Sequence, residues 1–263
     1  MSGVMLAGTA PVDTRSIGTA HATEPFEPRW RGLYQTGAVF ALVVLAGTVL
    51  DIALTMMPGW DPTTVPADAA GWFAQFAGKP LLAIRNLDFL NAMLSVIGLP
   101  LYAALLVAHR HTAPAIALVA LLAVALGTAL FASANAALPM LELSGRYAAA
   151  SDSGRVALEA AAESLLARGA HGSYGAFPGF ILSEVGTLLM SAAMLVGGVF
   201  SKRSAWVGIV GMGVMVLYSV AFTFGVGSDV LIMAVAAPAG LLMLSWYVMV
   251  ARRLLEIATT GDA

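Results

Sequence analysis

The sequence predicts an all-α protein, a polytopic membrane bundle of six transmembrane helices with one further amphipathic helix outside the membrane. Of its 263 residues, 59% are hydrophobic and only 11% are charged, whereas a soluble domain usually carries roughly twice that share of charge. The apolar residues also occur in long blocks, close to the roughly 20 residues that cross a bilayer as a helix. Composition and block length therefore both indicate a multi-pass protein in contact with the lipid bilayer.

The same composition argues against several kinds of site. The chain contains no cysteine, so disulfides, iron–sulfur clusters, thiolate metal sites and cysteine nucleophiles are excluded. Its formal net charge of -2 provides no electrostatic basis for binding nucleic acid. It carries no zinc-protease, serine-hydrolase or glycine-rich phosphate-binding motif, so we predict no cofactor and favour a non-enzymatic role. Nothing in the sequence indicates an oligomeric state.

The elements follow from the order of the apolar blocks. Residues 1–30 lack both the basic start and the long apolar core of a secretory signal peptide, so we predict a flexible cytoplasmic tail. A transmembrane domain is predicted over 31–253, followed by a second cytoplasmic tail over 254–263. The six predicted spans are 33–57, 81–108, 114–138, 174–200, 204–225 and 230–251. The short sequence GVGSD between the last two spans predicts a tight hairpin.

Basic residues beside the spans predict the orientation, because short cytoplasmic loops are enriched in Lys and Arg. If both termini are cytoplasmic, the outer loops carry fewer basic residues, and nearby acidic residues partly balance them. The inner flanks then hold Arg29, Arg31, Arg110, Lys202, Arg203, Arg252 and Arg253. We therefore predict that the N-terminus and the C-terminus both face the cytoplasm. His109 and His111, in the inner HRH turn, are predicted to face solvent.

Two segments of the outer loops are predicted to be helical. The segment DAAGWFAQFAGKP places Trp72, Phe73 and Phe76 close together, which is typical of an interfacial helix lying on the outer leaflet. The segment SDSGRVALEAAAESLLARG predicts an amphipathic helix with an i,i+4 pair between Arg155 and Glu159. Such a helix would cap the outer end of the bundle or form a lid over it. Its predicted apolar face consists of Leu158, Ala161, Ala162, Leu165 and Leu166.

Three carboxylates lie within otherwise apolar spans, namely Asp51, Asp88 and Glu184. Charge at membrane depth is costly, so such residues usually face a bundle interior or a water-filled cavity. With a rise of about 1.5 Å per helical residue, all three map to the outer half of the membrane. The other strongly polar residues of that half are Arg85, Asn91, Asn135 and His171.

Spacing within the second span predicts one polar face, because Arg85, Asp88 and Asn91 are each three residues apart. Asp51 is the predicted ion-pair partner of Arg85, whereas Glu184 has no basic residue near it in the sequence. These groups would either hold the helices in register or surround a cavity for a proton, a cation or a small polar ligand. The carboxylates and His171 have donor atoms suited to a divalent metal, but without a fixed ligand spacing no metal site is predicted.

Several short motifs resemble a known family. The stretch ASANAALPMLELSGRYAAASDSGRVALEAAAESLLARGAHGSYGAFPGF contains Asn135, then Tyr147 followed by small residues, and finally His171 and Gly172. The opening RWRGLYQTGAVFALVVLAG places an Arg and a Gly-Leu-Tyr before the first span. Both stretches are similar to a bacterial six-helix integral membrane family known only as domain of unknown function four-three-eight-six. The resemblance covers residues 29–253 and implies six helices in a bacterial cytoplasmic membrane, but no activity.

Three functions are consistent with the sequence. A transporter of a small solute or ion would bring Asp51, Asp88 and Glu184 together around an outward-facing polar cavity. A membrane-embedded enzyme acting on a lipid or small substrate would use a carboxylate as general base, assisted by Arg85 or His171. A sensory, scaffolding or accessory protein would satisfy every carboxylate and lack a cavity. The sequence favours transport as the most specific hypothesis and identifies no catalytic residue.

Overall fold

The computed structural model describes residues 28–60, 65–227 and 229–260. Within these ranges the chain forms eleven α-helices and no β-strand, which confirms the all-α prediction. A short 3-10 helix, Pro28–Trp30, precedes the first of them. Most of the predicted tail over 1–30 lies outside the described residues. The helices are α1 Arg31–Thr55, α2 Ala69–Gly78, α3 Pro80–Asn86, α4 Phe89–Ile97, α5 Leu99–Ala108, α6 Pro114–Ala134, α7 Ala137–Ala148, α8 Asp152–Gly169, α9 Phe177–Gly197, α10 Lys202–Phe224 and α11 Asp229–Thr260.

Six helical segments of the described chain are long and apolar enough to cross a membrane, and the protein is therefore a multi-pass membrane protein. The second combines α4 with α5, and the third combines α6 with α7. The six segments are Arg31–Thr55, Phe89–Ala108, Pro114–Ala148, Phe177–Gly197, Lys202–Phe224 and Ala234–Thr260.

The second predicted span is not one continuous helix. The helix α3 ends at Asn86, and Asp88 takes a left-handed conformation, with φ 57° and ψ 24°, before α4 begins. Asp tolerates this conformation better than most residues because its short side chain bonds locally. A second break follows at Gly98, after which Pro100 lies in the first turn of α5, where its missing N–H removes no helical hydrogen bond. The structure therefore corrects the single helix predicted over 81–108.

The spans form a closed ring in which each packs against the next in the order α1, α4–α5, α6, α9, α10, α11 and back to α1. We call the end of the ring where α5, α9 and α11 finish the closed end, because an apolar core fills it. Leu105, Met190 and Trp246 are fully buried in this core. Leu254 and Ile257 belong to it too. The predicted tail boundary at residue 253 thus falls inside α11, which continues the bundle to its last turn.

At the opposite, capped end, the helices α2, α3, α7 and α8 pack together as a cap with its own core. Trp72, Phe73 and Phe76 are only 2–4% exposed and lie in this core. The prediction that these rings anchor an interfacial helix in lipid is therefore wrong. The N-terminus of α2 is held to α8 because Ala69 N donates to Glu163 Oε1 at 2.7 Å, where the helix dipole favours a carboxylate.

The amphipathic helix predicted between the third and fourth spans is confirmed as α8. Arg155 and Glu159 were expected to pair with each other, but both contact Tyr147 of α7. Tyr147 Oη donates to Glu159 at 2.5 Å, and the Arg155 guanidinium lies 5.4 Å from the centre of the same ring. Ala161 is exposed rather than part of the apolar face. The buried residues of the helix are Ala162, Leu166 and Gly169.

The two histidines of the HRH turn have different environments. His111 is exposed as predicted, but His109 is fully buried at the closed end. Its Nδ1 lies 2.8 Å from the Leu105 carbonyl oxygen, and its ring stacks on Phe200 at 5.4 Å. Burial lowers the pKa of His109. The ring is therefore an uncharged part of the core, and the prediction that it faces solvent is wrong.

Candidate functional site

A cavity of about 570 Å³ lies inside the ring, between the apolar core of the closed end and the cap. All six spans contribute to its wall. Toward the closed end it is lined by Tyr102, Thr187 and Tyr247, with Tyr102 Oη 2.6 Å from Thr187 Oγ1. Toward the cap it is lined by His171 and Gly172, from the connection between α8 and α9. Two of the three sequence-predicted carboxylates, Asp51 and Glu184, line this space.

The predicted ion pair between Arg85 and Asp51 is confirmed at the capped end of the cavity. Arg85 Nε donates to Asp51 Oδ1 at 3.1 Å, and the two side chains are 14% and 20% exposed. Arg85 Nη1 also donates to the Trp60 carbonyl oxygen at 3.3 Å and to Asn86 Oδ1 at 3.2 Å. Asp51 lines the cavity, whereas Arg85 does not. The guanidinium therefore stands behind the wall and neutralises Asp51.

Asp88 forms a separate ion pair, contrary to the single polar face predicted for the second span. Asp88 lies at the left-handed turn before α4, and its Oδ2 lies 2.5 Å from His171 Nδ1. Asn91 Nδ2 donates to Asp88 Oδ1 at 3.1 Å. On its other side, His171 Nε2 lies 3.5 Å from Tyr218 Oη. The pair joins the break in the second span to the connection that leads into α9.

Electrostatics favour the charged form of both partners in this pair. Burial acts to raise the pKa of Asp88, but the charge of His171 and the hydrogen bonds from His171 and Asn91 outweigh it and lower the pKa. Burial acts to lower the pKa of His171, but the Asp88 carboxylate and, more weakly, Glu184 outweigh it and raise the pKa. The pair is thus ionic over a wider pH range than isolated side chains would allow.

Asn135 supports the site without lining the cavity. It ends α6, and its Nδ2 donates to the Leu87 carbonyl oxygen at 2.7 Å. Its Oδ1 accepts a hydrogen bond from Ala137 N at 3.1 Å, at the start of α7. The Asn135 side chain therefore links the break between α6 and α7 to the break between α3 and α4, where Asp88 lies.

Glu184 is the deepest of the three carboxylates and lines the cavity from α9. It is 7% exposed, and its Oε1 accepts a hydrogen bond from Ser219 Oγ at 2.5 Å. Its Oε2 is buried, and no group in the described part of the chain bonds it. As expected from the sequence, the side chain has no ion-pair partner among the described residues. A buried acceptor of this kind is costly unless a proton, a water molecule or a ligand occupies it.

The predicted site residues thus divide into two groups. Four of them line the cavity, and the other three stand behind the wall and orient them. The four are Asp51, Asn91, His171 and Glu184. Sequence reasoning missed the hydroxyl and aromatic part of the wall, since its candidates were limited to charged, amide and histidine side chains. The i,i+4 spacing of Ser183 and Thr187 was a usable signal, because it places both hydroxyls on the face of α9 next to Glu184.

The geometry of the cavity bears on two further alternatives, a metal site and a purely structural role. Among the described residues, no group of three or more His, Asp and Glu side chains is placed to hold a metal ion. A purely structural role was expected to satisfy every carboxylate and leave no cavity. Glu184 Oε2 lacks a partner in the described chain, and the cavity is present, so neither expectation is met.

Comparisons with known proteins leave the function to be argued from this geometry. No protein-family model matches the chain, and no significant match was found among curated proteins or solved structures. The similarity to the bacterial six-helix family therefore stays a prediction.

Proposed function

We propose that the protein transports a small solute or ion across the membrane and that the cavity is its substrate site. One observation carries the proposal: six spans enclose a cavity of about 570 Å³ that contains a buried carboxylate oxygen without a described partner. Small-molecule sites typically have volumes of about 300–1,000 Å³ and a few polar groups in a mostly apolar wall. Substrate and ion sites of transporters also lie within the membrane between discontinuous helices, and the breaks at Asp88 and Gly98 provide such a helix here.

Packing differs along the ring in a way that suits alternating access. The buried residues of α1 end at Val44, and those described in α11 begin at Ala239. These two helices are therefore held mainly at the closed end, and movement of their other halves would break few buried contacts. In the transport cycle, the core of the closed end is the barrier that must open when the capped end shuts.

Glu184 is the residue that we assign to coupling. A carboxyl group in the wall can carry a proton when the cavity is empty and release it when a substrate binds. Its Oε1 is held by Ser219, so the carboxyl group is oriented while Oε2 stays available. Proton exchange at this position would link solute movement to a proton gradient.

Transport is tested with the purified full-length protein in liposomes that contain a pH-sensitive dye. A panel of amines, amino acids, carboxylates and sugars is added outside, and we expect at least one class to drive a proton flux. The Glu184→Gln variant should abolish that flux. The Glu142→Gln variant is the matched control, because Glu142 is exposed on α7, where it pairs with Arg146. If every solute moves no faster than into protein-free liposomes, the transport proposal is wrong.

We also propose that the capped end faces outward from a bacterial cytoplasmic membrane, on the basis of the basic residues that flank the closed end. Because the chain has no cysteine, single cysteines can report the orientation. Ser153→Cys in the cap and Thr259→Cys near the end of α11 are both at exposed positions. An impermeant maleimide should label the first in intact cells and the second only after permeabilisation. The reverse pattern would contradict the orientation.

The Asp88–His171 pair favours a membrane-embedded enzyme as a second candidate. Asp88 holds the Nδ1 side of the ring, and Nε2 is directed toward Tyr218 in the cavity wall. A carboxylate that orients a histidine in this way is a common arrangement for a general base. In this case His171→Gln would abolish the hydrolysis of micelle-bound ester substrates by the purified protein. An absence of any His171-dependent hydrolysis would exclude this form of the enzyme hypothesis.

A further inference from the structure

We propose that the cavity selects an organic monocation, namely an amine or quaternary ammonium compound with an apolar or aromatic part. This inference rests on the transport function proposed above and specifies the class of its substrate. Three properties of the described cavity support it: its charge balance, the chemistry of its wall and its size.

The charge balance leaves one acidic group, Glu184, without an ion-pair partner among the described residues. The Asp, Glu and His side chains that line the described cavity are Asp51, His171 and Glu184. Arg85 neutralises Asp51 from behind the wall, and Asp88 likewise pairs with His171. No Lys or Arg side chain belongs to the described lining. An anionic ligand would have to displace a carboxylate from Arg85 or His171, whereas a cation would meet the open Oε2 of Glu184.

The wall around Glu184 suits an organic cation better than a metal ion. Hard metal cations need about six to eight oxygen ligands, and the described residues offer no such cluster. Thioethers from Met212 and Met215 lie in the wall instead, together with several aromatic rings. The faces of such rings attract alkylammonium groups, most strongly where water is excluded. The aromatic residues of the lining are Tyr102, Phe131, Phe180, Tyr218, Phe222 and Tyr247.

Two of these rings already lie against the imidazole ring of His171. His171 lies 5.0 Å from Phe222 and 5.5 Å from Phe180, measured between ring centres. Tyr218 stacks on Phe222 at 5.6 Å, so the rings form a continuous surface along one side of the cavity. A ligand that binds Glu184 through its ammonium group can place its apolar part against this surface.

The cavity has room for a ligand much larger than a bare ion. Its volume of about 570 Å³ is in the range of sites for drug-sized molecules. An ammonium group accounts for a small part of that space, so the rest must be filled by hydrocarbon or water. Apolar residues such as Val44, Leu94 and Val124 line much of the remaining wall. The favoured ligand therefore combines one positive charge with an apolar body.

Binding to the detergent-purified full-length protein tests this inference. Radiolabelled tetraphenylphosphonium is the probe, and three small compounds of the same shape compete with it. Benzyltrimethylammonium is cationic, neopentylbenzene is its neutral isostere, and phenylmethanesulfonate is anionic. We expect the cation to compete at least about tenfold more strongly than the other two. Empty micelles provide the background for partitioning.

Three variants assign the binding to the proposed groups. Glu184→Gln should weaken tetraphenylphosphonium binding by about tenfold or more, whereas Glu184→Asp, which keeps the charge, should retain most of it. Phe222→Leu removes a ring face and should weaken binding by a few fold. Glu142→Gln, on the exposed face of α7, should bind like the native protein. Gel filtration and tryptophan fluorescence establish that each variant is folded.

Specific outcomes would overturn the inference. Equal competition by the anion and the cation would do so, as would unchanged tetraphenylphosphonium binding by a folded Glu184→Gln variant. If no cation binds but the liposome assay shows Glu184-dependent movement of a neutral or anionic solute, the cation inference fails while transport stands. If cations bind through Glu184 but nothing is transported, the assignment of the site stands while the transport function fails.

Discussion

The closed end and the capped end of the ring are built from the same six spans but are packed differently. At the closed end, Met190, Met194 and Trp246 are fully buried. At the capped end, α1 contains no buried residue after Val44, and the cavity occupies the centre of the ring. The change occurs within a single helix, since Glu184 lines the cavity and Met190, less than two turns further along α9, lies in the apolar core.

Side-chain size explains much of this difference. Without a hydrophobic force between helices in lipid, close contact depends on small residues that let backbones approach. The closed end has many of them, including Ala38, Ala104, Ala117 and Ala193, all with 0% exposure. At the capped end, aromatic rings and polar side chains line a cavity in the centre of the ring instead. The tight half therefore holds the ring together, and the open half is left for a ligand.

Replacing one methionine at each end should produce the largest contrast. Met190→Ala leaves a cavity in the apolar core and should lower the free energy of unfolding by about 2–5 kcal/mol. Met215→Ala only enlarges a cavity that is already present, because Met215 is half-buried in its wall, and should cost less than about 1 kcal/mol. Unfolding in mixed detergent micelles measures both values. Equal losses for the two variants would show that the ends are packed alike.

Adding a methyl group at each of two glycines compares a tight helix contact with a loose one. A Cβ atom at Gly186 would lie 2.8 Å from the Ala120 carbonyl oxygen, so Gly186→Ala must push α9 away from α6. We expect a loss of about 1–3 kcal/mol in the same unfolding assay. Gly213→Ala is the matched control, because its nearest contact would be 4.0 Å away, at Leu188 Cδ1. A tolerated Gly186→Ala variant would contradict the close packing described for these two helices.

The sequence was sufficient for the features that depend on composition and length. Apolar blocks predicted the six spans, and the general cost of buried charge predicted that Asp51 and Glu184 face the interior. The ion pair of Arg85 with Asp51 was also predicted, since Arg85 was the obvious basic partner at that depth. Each of these properties follows from the residue itself or from its distance to a membrane boundary.

Features that depend on tertiary contacts could not be predicted in this way. The left-handed turn at Asp88 interrupts a stretch that reads as a continuous helix, and it is held by Asn135 and His171 from distant parts of the chain. Trp72 and Phe73 looked suited to a membrane interface, and only the presence of α7 and α8 makes them core residues. The aromatic wall was hidden for a similar reason, because an aromatic residue in an apolar span has the same pattern whether it faces lipid or a cavity.

Asn135 offers a smaller test, which is confined to the capped end. Asn135→Asp keeps the acceptor for Ala137 N but loses the donor to the Leu87 carbonyl oxygen. Leaving that carbonyl unpaired should cost about 1–3 kcal/mol. Hydrogen exchange should rise near Asp88 while the amides of the closed end keep their protection. Faster exchange at both ends would show that the cap and the core unfold as one unit.

The smallest expected effect is the pH dependence of the Asp88–His171 pair, since His171 is 37% exposed and solvent screening limits such pairs to about 1 kcal/mol or less. The pKa of His171 is raised above its ordinary 6.5, so the stabilisation is fully present below that value and is lost as the pH rises through the raised pKa. The pKa of Asp88 is lowered below 3.8, so on the acid side the stabilisation is lost only as the pH falls through that lowered pKa. Arg85, Tyr218 and Glu184 also face the pair.

The pH effect is measured as the difference in stability between the native protein and His171→Gln, followed from about pH 5 to pH 9. The difference should be largest at the acid end of this range and shrink toward its alkaline end. In an Asp88→Asn background the same substitution should show no such decline, because His171 then has no carboxylate to pair with at that turn. A decline that persists in this background would assign the pH dependence to Glu184, the other acidic group that acts on His171. The capped end would then be held through the cavity wall instead of through the turn at Asp88.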